Sequence, residues 1–355
     1  MYNEVFFYFL RLGLLGFGGP LALISSMQKD LVEQKKWLSE SEFSSAFSLI
    51  KAMPGPIAFM TAVFLGRHRA SYVGGFLAAI GLVIPPAILM ILFSLFFKNL
   101  GALGYSQIIL LGMQVCALGV ILGSLKGLVK KNIQDAMFWF LVIIAGFINY
   151  FYPQIEPIVI VSFGLLVIVF KKFGRKNALS ELGLLFLVCF KAGALVFGSG
   201  LAIVPMLKHD VVTKYHWLTN AEFLDALAFG QMTPGPVVIT ATFIGHHLHG
   251  AVGAIVATVA IFLASFFHMM TWFPTIIKKV QGQLWINDFI FGAVAAVVGP
   301  IIVTVLKLYQ GLEFSYLNIL FLLLSFILSL KAKIPLWLII PGGGVCFLLL
   351  KKSLA

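Results

Sequence analysis

The chain has 355 residues, of which 61% are hydrophobic and 11% charged, with a formal net charge of +12 and a mean hydropathy of +1.04. Soluble domains are about 45–50% apolar and about 25% charged, so this chain has too little polar surface to cover a soluble core. The apolar runs are long and continuous, which also excludes a transmembrane barrel with its alternating strands of about ten residues. What remains is an all-α polytopic membrane protein whose first partner is the lipid bilayer.

Along the chain, Met1-Tyr2-Asn3-Glu4 offers no basic leader region and no small-residue cleavage site follows 5–17, so a retained span is expected over 5–28. The stretch 39–66 is interrupted by Pro54-Gly55-Pro56. Its arms of about 10–14 residues reach roughly 15–21 Å, too short for a hydrocarbon core of about 30 Å. A re-entrant helical hairpin is expected there, followed by spans at 72–97, 105–126, 134–150 and 154–170.

The pattern then starts again. Arg11-Leu12-Gly13 and Phe17-Gly18-Gly19-Pro20 return as Lys191-Ala192-Gly193 and Phe197-Gly198-Ser199-Gly200. Asp30 matches Asp210, Trp37-Leu38-Ser39 matches Trp217-Leu218-Thr219, Glu42-Phe43 matches Glu222-Phe223, and Pro54-Gly55-Pro56 matches Pro234-Gly235-Pro236. After a slip of one residue, Gly66 meets Gly245 and Gly74 meets Gly253. The chain is thus expected to be two copies of one unit, 1–176 and 177–355. About five spans plus a hairpin is an odd number of crossings, so the second copy should be inverted. Most basic residues agree: with the N-terminus outside, Lys29, Lys35, Lys36, Arg67, Arg69, Lys126, Lys130, Lys131, Lys171, Lys172, Arg175, Lys176, Lys278, Lys279, Lys331 and Lys333 fall in the cytoplasm, with Lys98, Lys208, Lys214, Lys351 and Lys352 as exceptions to the bias. The same clustering between apolar runs argues against nucleic acid as a partner.

Inverted repeats that meet near the midplane are a recurring build of secondary transporters. Each Pro-Gly-Pro stops one helix and starts another, around Ile57–Phe59 and Val237–Ile239. A helix start carries roughly half a positive charge and receives anions. Two such breaks at matching positions favour a binding site over a simple kink. The glycine-rich stretches Gly16–Pro20 and Phe197–Gly200 either let helices pack closely or unwind them, and Pro20 can open a fresh half-helix. Arg11 and Lys191 occupy matching places in the first span of each copy, where they either attract an anion or snorkel to the interface. Lys51, which matches Gln231, adds positive charge before the first loop. Gln231, Thr233, Thr240 and Thr242 are neutral donors suited to an oxyanion. Ser39 with Glu42, and Thr219 with Glu222, read as capping boxes, although a proton-carrying role for Glu42, Glu222 or Asp225 stays open.

Cys116, Cys189 and Cys346 lie singly in apolar runs, which gives neither a disulfide nor a metal pattern. His246-His247-Leu248-His249 lacks the spacing that puts two imidazoles on one helix face, so an interfacial loop is expected rather than a metal site. With no catalytic set, phosphate loop or redox motif, neither an enzyme nor a cofactor is expected.

Taken together, Phe9-Leu10-Arg11-Leu12-Gly13 with Phe17-Gly18-Gly19-Pro20, the two Trp-Leu-Ser/Thr-x-x-Glu-Phe motifs and the two Pro-Gly-Pro motifs resemble the chromate ion transporter family in its long, two-domain form. The resemblance covers essentially the whole chain. It implies export of chromate, with sulfate as competitor, and assigns the family pattern to Arg11, Gly18, Gly19, Pro54, Gly55, Pro56, Lys191, Gly198, Pro234, Gly235 and Pro236. Ser199 departs from the glycine usual at its place. The expected function is therefore oxyanion efflux by alternating access across the inner (plasma) membrane, with the site between the repeats. Carriage of sulfate or another oxyanion is the alternative within transport, and an anion channel is the rival outside it. Exposed Phe and Gly faces permit a homodimer without requiring one.

Overall fold

The computed structural model describes residues 1–100, 104–129, 135–151, 181–196, 200–275, 285–312, 315–330 and 336–354. Every regular element among them is helical. The span expected over 154–170 and the candidates Gly198 and Ser199 lie outside the described residues.

The first span is broken, with α1 (Tyr2–Leu15) ending at Gly16 and α2 (Gly19–Met27) opening with Gly19-Pro20 and continuing into a π-helical turn, Gln28–Gln34. Next come α3 (Glu40–Ala52), α4 (Ile57–Leu100), α5 (Gly104–Val129) and α6 (Ala136–Phe151). The second repeat supplies α7 (Glu181–Leu195), a 3₁₀ turn Gly200–Ala202, and α8 (Ile203–Leu207) running into a π turn Lys208–Lys214. It continues through α9 (Asn220–Met232), α10 (Thr240–Met270), α11 (Trp285–Gln310), α12 (Tyr316–Leu330) and α13 (Leu336–Leu354). Both capping boxes form. Glu42 N–H donates to Ser39 Oγ at 3.3 Å and Ser39 N–H to Glu42 Oε2 at 2.9 Å, and Thr219 and Glu222 repeat the exchange at 3.2 and 2.7 Å.

Three helical segments, Ile57–Phe97, Ser106–Gly127 and Val237–Thr275, are long and apolar enough to cross a membrane. The first and third are not straight. Each leaves helical geometry for two residues, Ala70–Ser71 in α4 and His249–Gly250 in α10, and turns back on itself. Gly66 and Gly74 make the first reversal, because a Cβ on either would run into the other's carbonyl, and Gly245 and Gly253 do the same in the second. The Thr242 and Thr258 hydroxyls pair across the second reversal at 2.7 Å.

The repeats interlock. α1 packs on α4 at Gly13 and Leu82, and α7 packs on α10 at the equivalent Gly193 and Ile261. α4 and α10 then pack together, and their returning arms run antiparallel. Gly75 and Phe76 lie beside Met270 and Phe266 at one end, and at the other Ser94 bonds His246, which sits just before the second reversal, at 2.8 Å. The later helices exchange partners. α5 of the first repeat runs parallel to α12 of the second, with Gly119 on Ser325 and Gly123 on Ser329, while α6 runs parallel to α11, with Gly146 on Gly299 and the Phe138 and Phe291 rings 5.5 Å apart. α13 packs on the same face of α5, further toward its N-terminus, seating Phe347 on Gly112.

Because the reversals have no room for a side chain, Gly66→Leu and Gly245→Leu are each expected to cost at least about 1–3 kcal/mol by overpacking. A lowered melting temperature of the detergent-purified protein, relative to Gly292→Leu where a Cβ meets no atom within 4 Å, checks this.

Candidate functional site

The two Pro-Gly-Pro loops and the two broken first helices meet crosswise. Gly55 N–H donates to the Val196 carbonyl at 2.5 Å, and Gly235 N–H donates to the Gly16 carbonyl at 3.1 Å. Gly16 caps α1, and Val196 directly follows α7. Carbonyls at a helix C-terminus have no intrahelical donor, and proline has no N–H to offer, so each loop's glycine supplies the donor that the other repeat's helix end needs. Both glycines require left-handed backbone, with φ of +134° at Gly55 and +95° at Gly235. Gly55 lies against Ser265, and Gly235 lies against Pro86 with 3.0 Å from a built Cβ to its Cγ. These four positions are equivalent in the repeat register, so the crossing occurs twice.

Beyond each loop a new helix starts. In the first repeat Met60 N–H makes the first bond back, to the Pro56 carbonyl at 2.9 Å, which leaves the Ile57, Ala58 and Phe59 N–H groups at the helix mouth. In the second repeat the start is tighter, a 3₁₀ turn Val237–Ile239 in which Ile239 N–H bonds the Pro236 carbonyl at 3.0 Å. Pro234, Gly235 and Pro236 are all buried, as is Pro56, while Pro54 is half-buried. Gly200 packs on Val237 and Val238, 3.5 Å from a built Cβ, so the broken first helix of the second repeat also touches its own helix start.

The remaining candidates differ in their surroundings. Gly18 and Gly19 take φ of +105° and +79° at the mouth of α2, and a Cβ at Gly19 would meet no atom within 4 Å. They border open space. Arg11 is exposed on α1. Lys191 forms an ion pair with Asp210, which is 1% exposed, so its charge is balanced in place. Lys51 lies over the Phe47 ring, 4.2 Å from its centroid. The Thr233 hydroxyl bonds the Phe229 carbonyl at 2.7 Å and the Met90 sulfur at 3.2 Å, and the Thr240 hydroxyl bonds the Val237 carbonyl at 2.9 Å. Gln231 is buried, and its Nε2 has no hydrogen-bond partner among the described residues. Thr233 and Thr240 thus spend their donors on local backbone, whereas Gln231 keeps one.

Three buried polar residues carry no motif. Ser265 and His268 sit one turn apart on α10, both buried, and His268 interacts with the Pro54 backbone. Gln114 of α5 donates to the buried Asp225 in the first half of α9 at 2.8 Å, tying the repeats together there. Their sequence signal is only a polar residue in an apolar run. The histidine cluster divides among three partners: His246 to Ser94, His247 to Glu222 at 3.5 Å, and His249 to Glu181 at 3.9 Å.

Paired discontinuous helices joined across a sequence duplication, in a chain with several apolar helices, define a multi-pass membrane protein of the transporter class. The family model described as chromate transporter matches residues 3–169 and again 183–348. This chain belongs to that family. It is 34% identical over 359 residues to a chromate transport protein of Cupriavidus metallidurans, covering 93% of this chain and 88% of the relative. A probable chromate transport protein of Synechococcus elongatus is 31% identical over 371 residues, covering 96% and 94% respectively. An uncharacterised transporter of Bacillus subtilis is 27% identical over 178 residues, which span 49% of this chain and 86% of the relative. No solved structure matches the chain.

Since Asp210 is buried with Lys191 as its cation, Lys191→Ala should strand its charge and cost roughly 1–3 kcal/mol, the usual penalty for an orphaned buried acceptor. The double variant Lys191→Met/Asp210→Asn should recover most of the melting temperature, which separates an ion-pair role from any direct role in transport.

Proposed function

We propose that this protein is a secondary transporter that exports chromate, a tetrahedral dianion, from the cytoplasm across the inner (plasma) membrane. The observation that carries the reading is the crosswise pairing of Pro-Gly-Pro loops with broken first helices. Backbone that leaves helical geometry at membrane depth is tolerated where it is buried in protein or lines a wet cavity. Here it also leaves helix starts at Ile57, at Val237 and at the open Gly19, each a place for an oxyanion. Family membership and the names of the relatives supply the ion.

In this reading the units 1–176 and 177–355 lie inverted across the bilayer. The antiparallel returning arms of α4 and α10 support that, because equivalent membrane helices run antiparallel only when the axis relating them lies in the membrane plane. The basic clusters on the cytoplasmic side support it independently. The stretches 39–66 and their counterparts act as re-entrant hairpins, and Arg11 adds positive potential on the approach to Gly18 and Gly19. Moving one charge through about 100 mV is worth about 2.3 kcal/mol, so an outgoing dianion gains roughly twice that from an inside-negative potential. No nucleotide is needed. Alternating access then moves the group α1, α4, α7 and α10 against the group α5, α6, α11, α12 and α13, with α3 and α9 between them.

Radiolabelled chromate uptake into inverted vesicles tests the proposal. The expected result is saturable uptake, inhibited by sulfate and accelerated by an inside-positive potential. Gly55→Ala and Gly235→Ala, which force a Cβ onto left-handed backbone at the crossing, should each reduce the rate at least about tenfold, equivalent to about 1.4 kcal/mol. Uptake equal to wild type in both variants at normal expression would sink the crossing as the site. Protein-dependent flux of sulfate with no chromate flux would favour the sulfate carrier, and single-channel currents would favour an anion channel.

A further inference from the structure

We infer that the oxyanion site is unequal between the two repeats: it is built on the first loop, Pro54-Gly55-Pro56, with the Ser265 hydroxyl of the second repeat as one of its ligands. The inference rests on the transport reading above and narrows it to a place.

Ser265 is fully buried, and its Oγ has no hydrogen-bond partner among the described residues. A Cβ built at Gly55 would collide with that oxygen, so the hydroxyl is directed at the loop. A buried hydroxyl left unpaired is costly and is retained in few places without a use. Just past the loop, the Ile57, Ala58 and Phe59 N–H groups precede the first intrahelical bond, made by Met60. They open an arm that stays helical to residue 69, long enough for its end to bear the partial positive charge of a helix start. Ser265 and these N–H groups are donors, and an oxyanion needs donors on several sides. His268, one turn on, interacts with the Pro54 backbone and is assigned as a positioning residue for that turn.

The second loop lacks this equipment. Ser265 corresponds to Pro86, which packs on Gly235, and His268 corresponds to Leu89. Neither can donate. The helix start is closed into a 3₁₀ turn, and the Thr233 and Thr240 hydroxyls are held by local carbonyls. Gln231 retains a buried unpartnered amide nitrogen, and it is the natural internal comparison.

The test is equilibrium dialysis of radiolabelled chromate with the full-length, detergent-purified protein. Ser265→Ala is expected to weaken chromate binding about ten- to hundredfold, the range for a hydrogen bond to a charged group, and Gln231→Ala to weaken it less. Without chromate, Ser265→Ala should melt no lower than wild type, because it deletes an unpaired group, while the stabilisation given by added chromate shrinks. His268→Ala should weaken binding and His268→Gln restore it. Unchanged chromate affinity in Ser265→Ala, or a larger loss in Gln231→Ala, overturns the assignment while leaving transport intact. Absence of chromate binding by wild type, together with absence of flux, overturns the transport reading and this inference with it.

Discussion

The structure depends on a pair of backbone hydrogen bonds. Where a first helix stops within the protein, its last carbonyls need donors, and hydrocarbon supplies none. Gly235 satisfies Gly16, and Gly55 satisfies Val196. Each bond requires a glycine that can adopt positive φ, flanked by prolines that end one helix and begin the next without offering a competing N–H. The demand is mutual, because neither repeat can close its own broken helix with its own loop. From that reciprocity follow the contact of α4 with α10, the close approach of Pro86 and Ser265 to the loops, and the presence of helix starts in the protein interior.

A second consequence concerns what moves with what. Partner exchange among the later helices means that α5 with α12, and α6 with α11, each join one repeat to the other through glycine contacts too close to slide apart. A rigid rotation of one repeat against the other would tear both pairs at once. Groups that contain both repeats are the natural rigid units, and α3 and α9, packed on α11 and α5, are placed between them. The Gln114–Asp225 bond lies on that boundary.

Much of this was legible in the residues. The Pro-Gly-Pro breaks and the capping boxes at Ser39 and Thr219 follow from local chemistry, a missing donor and a side chain three residues from its target, whereas the glycines at Gly16–Gly18 left close packing and a broken helix equally open. The duplication was legible because its motifs keep their spacing. The crossing was not, since a glycine N–H carries no mark of which carbonyl it will meet. Ser265 was hidden for a related reason. Its importance lies in the contrast with Pro86, and that contrast has meaning only once Gly55 and Gly235 are known to face those two positions. Lys191 shows the converse: a basic residue at a suggestive depth is explained in the fold by Asp210.

The interlocking also bears on ancestry. A chain that carried one repeat would have a first helix without its loop, a third long helix without its neighbour and a fourth in the same state. In this structure each of these partners is supplied by the other repeat, so a unit of that size would need a second copy to complete it. Joining two units in one polypeptide fixes their stoichiometry, and it frees each to diverge. Serine and proline at one equivalent position, and lysine and glutamine at another, are differences that two identical subunits could never acquire.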